Sequence, residues 1–106
     1  MEFKKVFISV GMRGRSDDEV VNDIKRAIMN IQYLYGENVI VQHITNWTTE
    51  PKPDGAIRLY YLGEAIKKLG DCDACYFVKG WKNYKGCIVE NTVCQLYGIE
   101  IIEESE

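Results

Sequence analysis

Short β-branched or aromatic runs alternate with helix-periodic segments from one end of this chain to the other, and few architectures accept that order. "KKVFISV" (Lys4–Val10) has the composition of a strand and stops at Gly11. After the loop Gly11–Ser16, the pair Ser16 and Glu19 fits a capping box, and Val20, Ile24, Ala27, Ile28, Ile31 and Leu34 follow at helical spacing until Gly36. Asn38–Ile44 is a second strand-like run. Thr45–Ala56 carries both prolines and reads as a loop. A helix is expected over Ile57–Leu69, with Leu59, Leu62, Ile66 and Leu69 on one side. Asp73–Val78 is continuously apolar around "ACYFV", as a strand covered on both faces should be. A second glycine-bearing loop, Lys79–Lys85, leads into a helix over Gly86–Tyr97, and "IEIIEE" closes as a short last strand.

This alternation predicts a parallel sheet of about four strands with helices on both faces and right-handed crossovers. The expected fold is a small α/β three-layer sandwich of the flavodoxin or Rossmann type, and 106 residues suffice for one domain, 1–106. Ligands of such sheets bind beyond the carboxyl ends of the strands. The Gly11–Ser16, Thr45–Ala56 and Lys79–Lys85 loops are all expected at that edge.

Composition narrows the classes. A net charge of −3 argues against binding a nucleic-acid polymer, which needs a basic surface. No apolar run approaches the roughly 20 residues of a membrane span. The N-terminus enters a strand-like run directly, so a cytoplasmic location is expected. Cys72 and Cys75 have C-x-x-C spacing, yet Cys87 and Cys94 are too far apart to supply a matching pair, and His43 is the only histidine. Buried reduced thiols and no metal are the expectation; redox or metal use is the alternative.

One residue does not fit the pattern. On a helix over Gly86–Tyr97, Leu96, Val89, Val93, Gly86, Tyr97, Cys94 and Cys87 share a broad arc with Glu90 near its centre, while Asn91, Thr92 and Gln95 lie opposite with Ile88. An unpaired carboxylate on a covered face costs several kcal/mol, by order of magnitude. Glu90 is either a satisfied structural carboxylate or, near the ligand edge, a desolvated group suited to nucleophilic or acid–base work. The first loop matches neither G-x-G-x-x-G nor a Walker sequence. It is a simple turn, or an anion site built from backbone amides with Arg13 and Arg15. Trp47 and Trp81, in loops at the same edge, are packing lids or stacking platforms for a base.

Three stretches in order, "VFISVGMRGRS", "CDACYFVKGW" and "KGCIVENTVCQLYGIEII", resemble the nucleoside 2-deoxyribosyltransferase-like superfamily. That group includes deoxynucleoside-monophosphate N-glycosidases and short bacterial and phage proteins with a "GW…GC…E" pattern. The resemblance spans nearly the whole chain. It implies cleavage or transfer at an N-glycosidic bond of a small-molecule nucleoside or nucleotide, without a cofactor, in a homodimer or higher homo-oligomer. Glu90 matches the family's nucleophile, and Glu64 stands nearest to the aspartate that assists the leaving base. The resemblance places Ser9, Gly11, Met12, Arg13, Gly14 and Arg15 around the sugar or its 5′-phosphate, with Trp81, Tyr84 and Gly86 as further substrate contacts. Tyr84 stands where the glycosidases carry a serine. The alternative function is a non-catalytic binder or sequestering protein for a nucleotide-derived, ADP-ribose-like signal. A third reading is an interaction module.

Overall fold

The structure, a computed structural model, describes residues 5–43 and 55–105. Trp47 and nearly all of the Thr45–Ala56 loop lie outside the described residues. Among the described residues, strands and helices alternate: β1 (Lys5–Ser9), α1 (Asp17–Tyr35), β2 (Ile40–Gln42), α2 (Gly55–Gly70), β3 (Ala74–Phe77), α3 (Lys85–Tyr97) and β4 (Glu100–Glu103). A single 3-10 turn, Trp81–Asn83, precedes α3. The sheet has the order β2-β1-β3-β4 with every pairing parallel. The chain thus has the expected α/β fold, a small three-layer sandwich of flavodoxin or Rossmann type.

Side-chain alternation along β1 sorts the core into two layers. Val6, Ile8 and Val10 face α1 and pack with Val20, Ile24, Ala27 and Ile31. Phe7 turns the other way, joining Cys75 and Phe77 of β3, Ala65 and Leu69 of α2, and Cys94 of α3. Every residue of β3 is buried, because this central strand is covered on both sides. Phe7, Phe77 and Leu69 are among the largest fully buried side chains, and each contributes about 1.5–3 kcal/mol through the water it leaves.

Local chemistry fixes the ends of the helices. At α1, Ser16 Oγ accepts from the Glu19 amide at 3.2 Å while Glu19 Oε1 accepts from the Ser16 amide at 3.3 Å. This is the capping box read from the sequence. At the end of α3, Gly98 takes a left-handed conformation (φ 73°) and donates its amide to the Cys94 carbonyl.

The rotational setting of α3 differs from the expectation. Its buried residues are Cys87, Glu90, Asn91 and Cys94. Val89 is 37% exposed, Leu96 75% and Tyr97 78%, so much of the apolar arc faces outward. The helix is turned by about a quarter of a revolution relative to its hydrophobic pattern. The compact thiols of Cys87 and Cys94 occupy the covered side, and a hydroxyl from β1 meets Glu90 there. With that partner the buried carboxylate is compensated, and the bulkier Val89 and Leu96 are left outside.

From β1 the chain crosses to β2 on one side, whereas β3 leads to β4 on the other. The neighbours β1 and β3 therefore flank the point where the strand order reverses. In open α/β sheets the crevice beyond the strand ends at that point is where ligands bind.

Candidate functional site

Ser9 ends β1 at this switch point, with Phe77 of β3 as its register partner. Its side chain faces the α2–α3 layer, as alternation from Phe7 requires. Ser9 Oγ donates to Glu90 Oε1 at 2.6 Å, a short charge-assisted bond between two buried groups. Among the described residues, Oε2 of Glu90 accepts no hydrogen bond.

Only 6% of Glu90 is exposed. Burial disfavours its charged form and pushes the carboxyl up to about 7, against the opposing pull of the Ser9 hydrogen bond. Near neutral pH this group is divided between acid and carboxylate, a suitable state for a nucleophile or a general base. Cys87 lies beside the same Ser9, and burial pushes its thiol up to about 12. Burial raises the Cys75 thiol as well. All four cysteines are buried and free, which denies them the exposure a reactive thiol needs, although a hydrogen bond from Cys75 holds the Cys94 thiol below its usual range. Among the described residues, no His, Cys, Asp or Glu group is arranged to hold a metal ion.

Tyr84 caps α3 with extended backbone, and its ring lies directly against Gly11. A Cβ on Gly11 would stand 2.1 Å from Tyr84 Cδ2, so no side chain fits there unless the ring moves. Gly11 follows Ser9 by two residues, and Tyr84 precedes Glu90 by six. The Tyr84–Gly11 contact therefore lies on the mouth side of the Ser9–Glu90 pair.

The other residues of the first loop are partly committed within the chain. Arg15 donates through Nη1 to the Gly11 carbonyl at 2.9 Å and through Nη2 to Asp23 Oδ2 at 2.6 Å. Met12 packs on the α1 core layer, whereas Arg13 and Gly14 are exposed. The first turn of α1 carries Asp17, Asp18 and Glu19. An anion at this helix end would meet three carboxylates and an arginine already engaged.

Trp81 packs on Phe77 with ring centroids 5.0 Å apart, donates Nε1–H to Glu103 Oε1 at 3.2 Å, and carries Lys82 Nζ over its ring. Gly86 is half-buried beside Leu62 of α2. Glu64 is paired with Lys67 at 3.2 Å, and no hydrogen bond or ion pair joins it to Glu90. The structure thus pairs Ser9 with Glu90 and Gly11 with Tyr84, and leaves Glu64 on a separate pair.

A shallow concavity of about 390 Å³ lies near Arg26, Asn30, Tyr76 and Lys79, away from Glu90. Its polar groups largely satisfy one another. Glu104 accepts from Nε and Nη2 of Arg26, from Tyr76 Oη and from the Lys79 amide, and Asn30 donates to Tyr76. Burial alone would raise the Glu104 carboxyl, but the Arg26 and Tyr76 hydrogen bonds hold it below its usual range. This network ties the end of β4 to α1 and β3. Nothing local in the sequence marks it, because its members are spread from Arg26 to Glu104.

No helix among the described residues is long and apolar enough to cross a membrane. Comparison with protein-family models, with curated proteins and with solved structures found no match to the chain.

Proposed function

We propose that this chain is a cytoplasmic nucleoside- or nucleotide-binding protein that cleaves or transfers at an N-glycosidic bond, with Glu90 as nucleophile. The observation that carries this reading is the Glu90 carboxylate. It is buried at the switch point, held through one oxygen by Ser9, without a hydrogen-bond partner among the described residues at the other, and raised to about 7. Its environment resembles that of carboxylates used in glycosidic chemistry, where desolvation and a fixed rotamer prepare the attack.

In the proposed reaction Oε2 of Glu90 attacks the anomeric carbon as the bond to the base nitrogen breaks. The bonding pair leaves with the base, which takes up a proton from solvent water. The resulting glycosyl ester on Glu90 is then displaced by water or by a second base, with net retention of configuration. Ser9 orients the carboxylate, and its hydroxyl stabilises the negative charge that returns to Glu90 in the second step. The Tyr84 ring must swing from Gly11, or serve as a stacking platform, when substrate enters.

The test is base release from deoxynucleosides and their monophosphates by the parent and by Glu90→Gln. Release by the parent and a loss of at least about a thousandfold in the variant supports a nucleophile. Equal release from both eliminates that role. A second reading is favoured by the pairing of Glu64 with Lys67, which leaves no second acid among the described residues in contact with Glu90 to protonate a leaving base. In that reading the pocket binds or sequesters a nucleotide-derived, ADP-ribose-like signal without turnover. Recovery of an intact ligand from the denatured protein distinguishes it.

A further inference from the structure

The last strand leaves one edge of the sheet open. β4 pairs with β3, and among the described residues no strand lies on its other side. The amides of Glu100 and Glu104 donate inward, to the Asp73 carbonyl at 3.3 Å and to the Phe77 carbonyl at 2.9 Å. Backbone direction alternates along a strand, so Ile101 and Glu103 turn their amides and carbonyls to the open edge. No hydrogen bond meets them there among the described residues.

The side chains alternate as well. Ile102 packs towards α1 and Ile101 towards α3, and both stay partly exposed. On the α1 side, Ile102 lines the concavity of about 390 Å³ together with Tyr33 and Leu34, which are 89% and 56% exposed. A strand laid along β4 finds backbone partners at Ile101 and Glu103, and an apolar trough for the side chain set opposite Ile102.

Charge selects which strand. β4 reads Glu-Ile-Ile-Glu, with Glu100 on the α1 face and Glu103 on the α3 face. Both glutamates are exposed, and neither has an ion-pair partner among the described residues. A second copy of β4 fits poorly. Antiparallel and centred on Ile102, it sets each Glu100 against Glu104 of the other copy and each Glu103 against Ile101. The complement is a run with two aliphatic residues between two basic ones, which matches Glu-Ile-Ile-Glu in either strand direction. No such run occurs anywhere in this chain.

We infer that β4 takes up, as a fifth strand, an extended segment of a different protein that carries two aliphatic residues between two basic ones. The glutamates admit this partner and discourage self-pairing along the same edge.

The experiment follows amide hydrogen exchange by NMR while the capped peptide Ser-Lys-Val-Val-Lys-Ser is added to the whole chain. Exchange at Ile101 and Glu103 should slow by about tenfold at a peptide concentration ten times the dissociation constant. The counterpart peptide with glutamate for both lysines should bind at least about tenfold more weakly. Glu103→Pro removes an outward amide and no ladder bond, so the variant should fold and lose the peptide. Glu100→Lys combined with Glu103→Lys should reverse the preference between the two peptides. No binding of the lysine peptide overturns the inference. Binding that leaves the two amides unprotected, survives Glu103→Pro or ignores the charge reversal also overturns it, since the contact is then general attraction to an acidic protein. So does protection of both amides without peptide that grows with protein concentration, because a second copy then closes the edge.

Discussion

Ser9 and Glu90 stand 81 positions apart in the chain and 2.6 Å apart at the end of the central strand pair. The hydroxyl is what allows α3 to bury a carboxylate while exposing its leucine. It also leaves the carboxylate short of full stabilisation, and this has a consequence for stability.

The folded Glu90 carboxyl is raised from 4.5 to about 7, so folding favours its protonated form. Its contribution is fully present below the unfolded value and is lost as pH rises through about 7. Between about pH 4 and about pH 8, the stability difference should move in favour of Glu90→Gln by about 3 kcal/mol. Urea denaturation of both proteins across that range measures this. A gap independent of pH would mean that Glu90 is ionised normally in the folded state.

The contact between Tyr84 and Gly11 is predicted to be movable and to shield Glu90. Gly11→Ala must displace the Tyr84 ring, which an added Cβ would meet at 2.1 Å. Tyrosine fluorescence and the accessibility of Glu90 to a carbodiimide should both rise in this variant. Tyr84→Ala should expose Glu90 without the backbone clash. If Glu90 stays unreactive in Tyr84→Ala, the ring is not what shields it.

At the far end of the sheet, Glu104 should titrate in the opposite sense. Hydrogen bonds from Arg26 and Tyr76 hold its carboxyl low against the effect of burial, so its contribution is present above its unfolded value and is lost as pH falls. Glu104→Gln should cost about 2–3 kcal/mol at neutral pH, with the gap narrowing below about pH 4. Chemical denaturation at the two pH values checks the sign.

The thiols should be silent in the native protein. Burial pushes Cys72 up to about 11 and Cys87 up to about 12, and all four cysteines are buried. Reaction with an aromatic disulfide reagent should therefore be slow at pH 8 and should complete on adding denaturant. A fast native phase would identify an exposed thiolate that the structure does not contain.

Much of the fold was legible because its signals are local. Ser16 with Glu19, Gly36 after Tyr35, and the unbroken apolar run at β3 each depend on neighbours a few residues away. Glu90 stood out for the same reason, as a carboxylate among apolar helix positions. The setting of α3 was not legible. It depends on Ser9, far away in sequence, and on the fit of Tyr84 to a glycine in another loop. Hydrophobic periodicity therefore placed Val89 and Leu96 inside, where the structure has Asn91. The commitment of Arg15 to Asp23 and to the Gly11 carbonyl was hidden likewise, since charge alone does not reveal which arginines are already engaged.

The most direct measurement of the proposed chemistry is intact-protein mass spectrometry after incubation with 2′-fluorinated deoxynucleosides, whose sugar esters hydrolyse slowly. The predicted result is a mass increase of one sugar, located to Glu90 by peptide mapping and absent from Glu90→Gln. Base release with no adduct on Glu90, or an adduct that persists in Glu90→Gln, would contradict the assignment of Glu90 as the nucleophile.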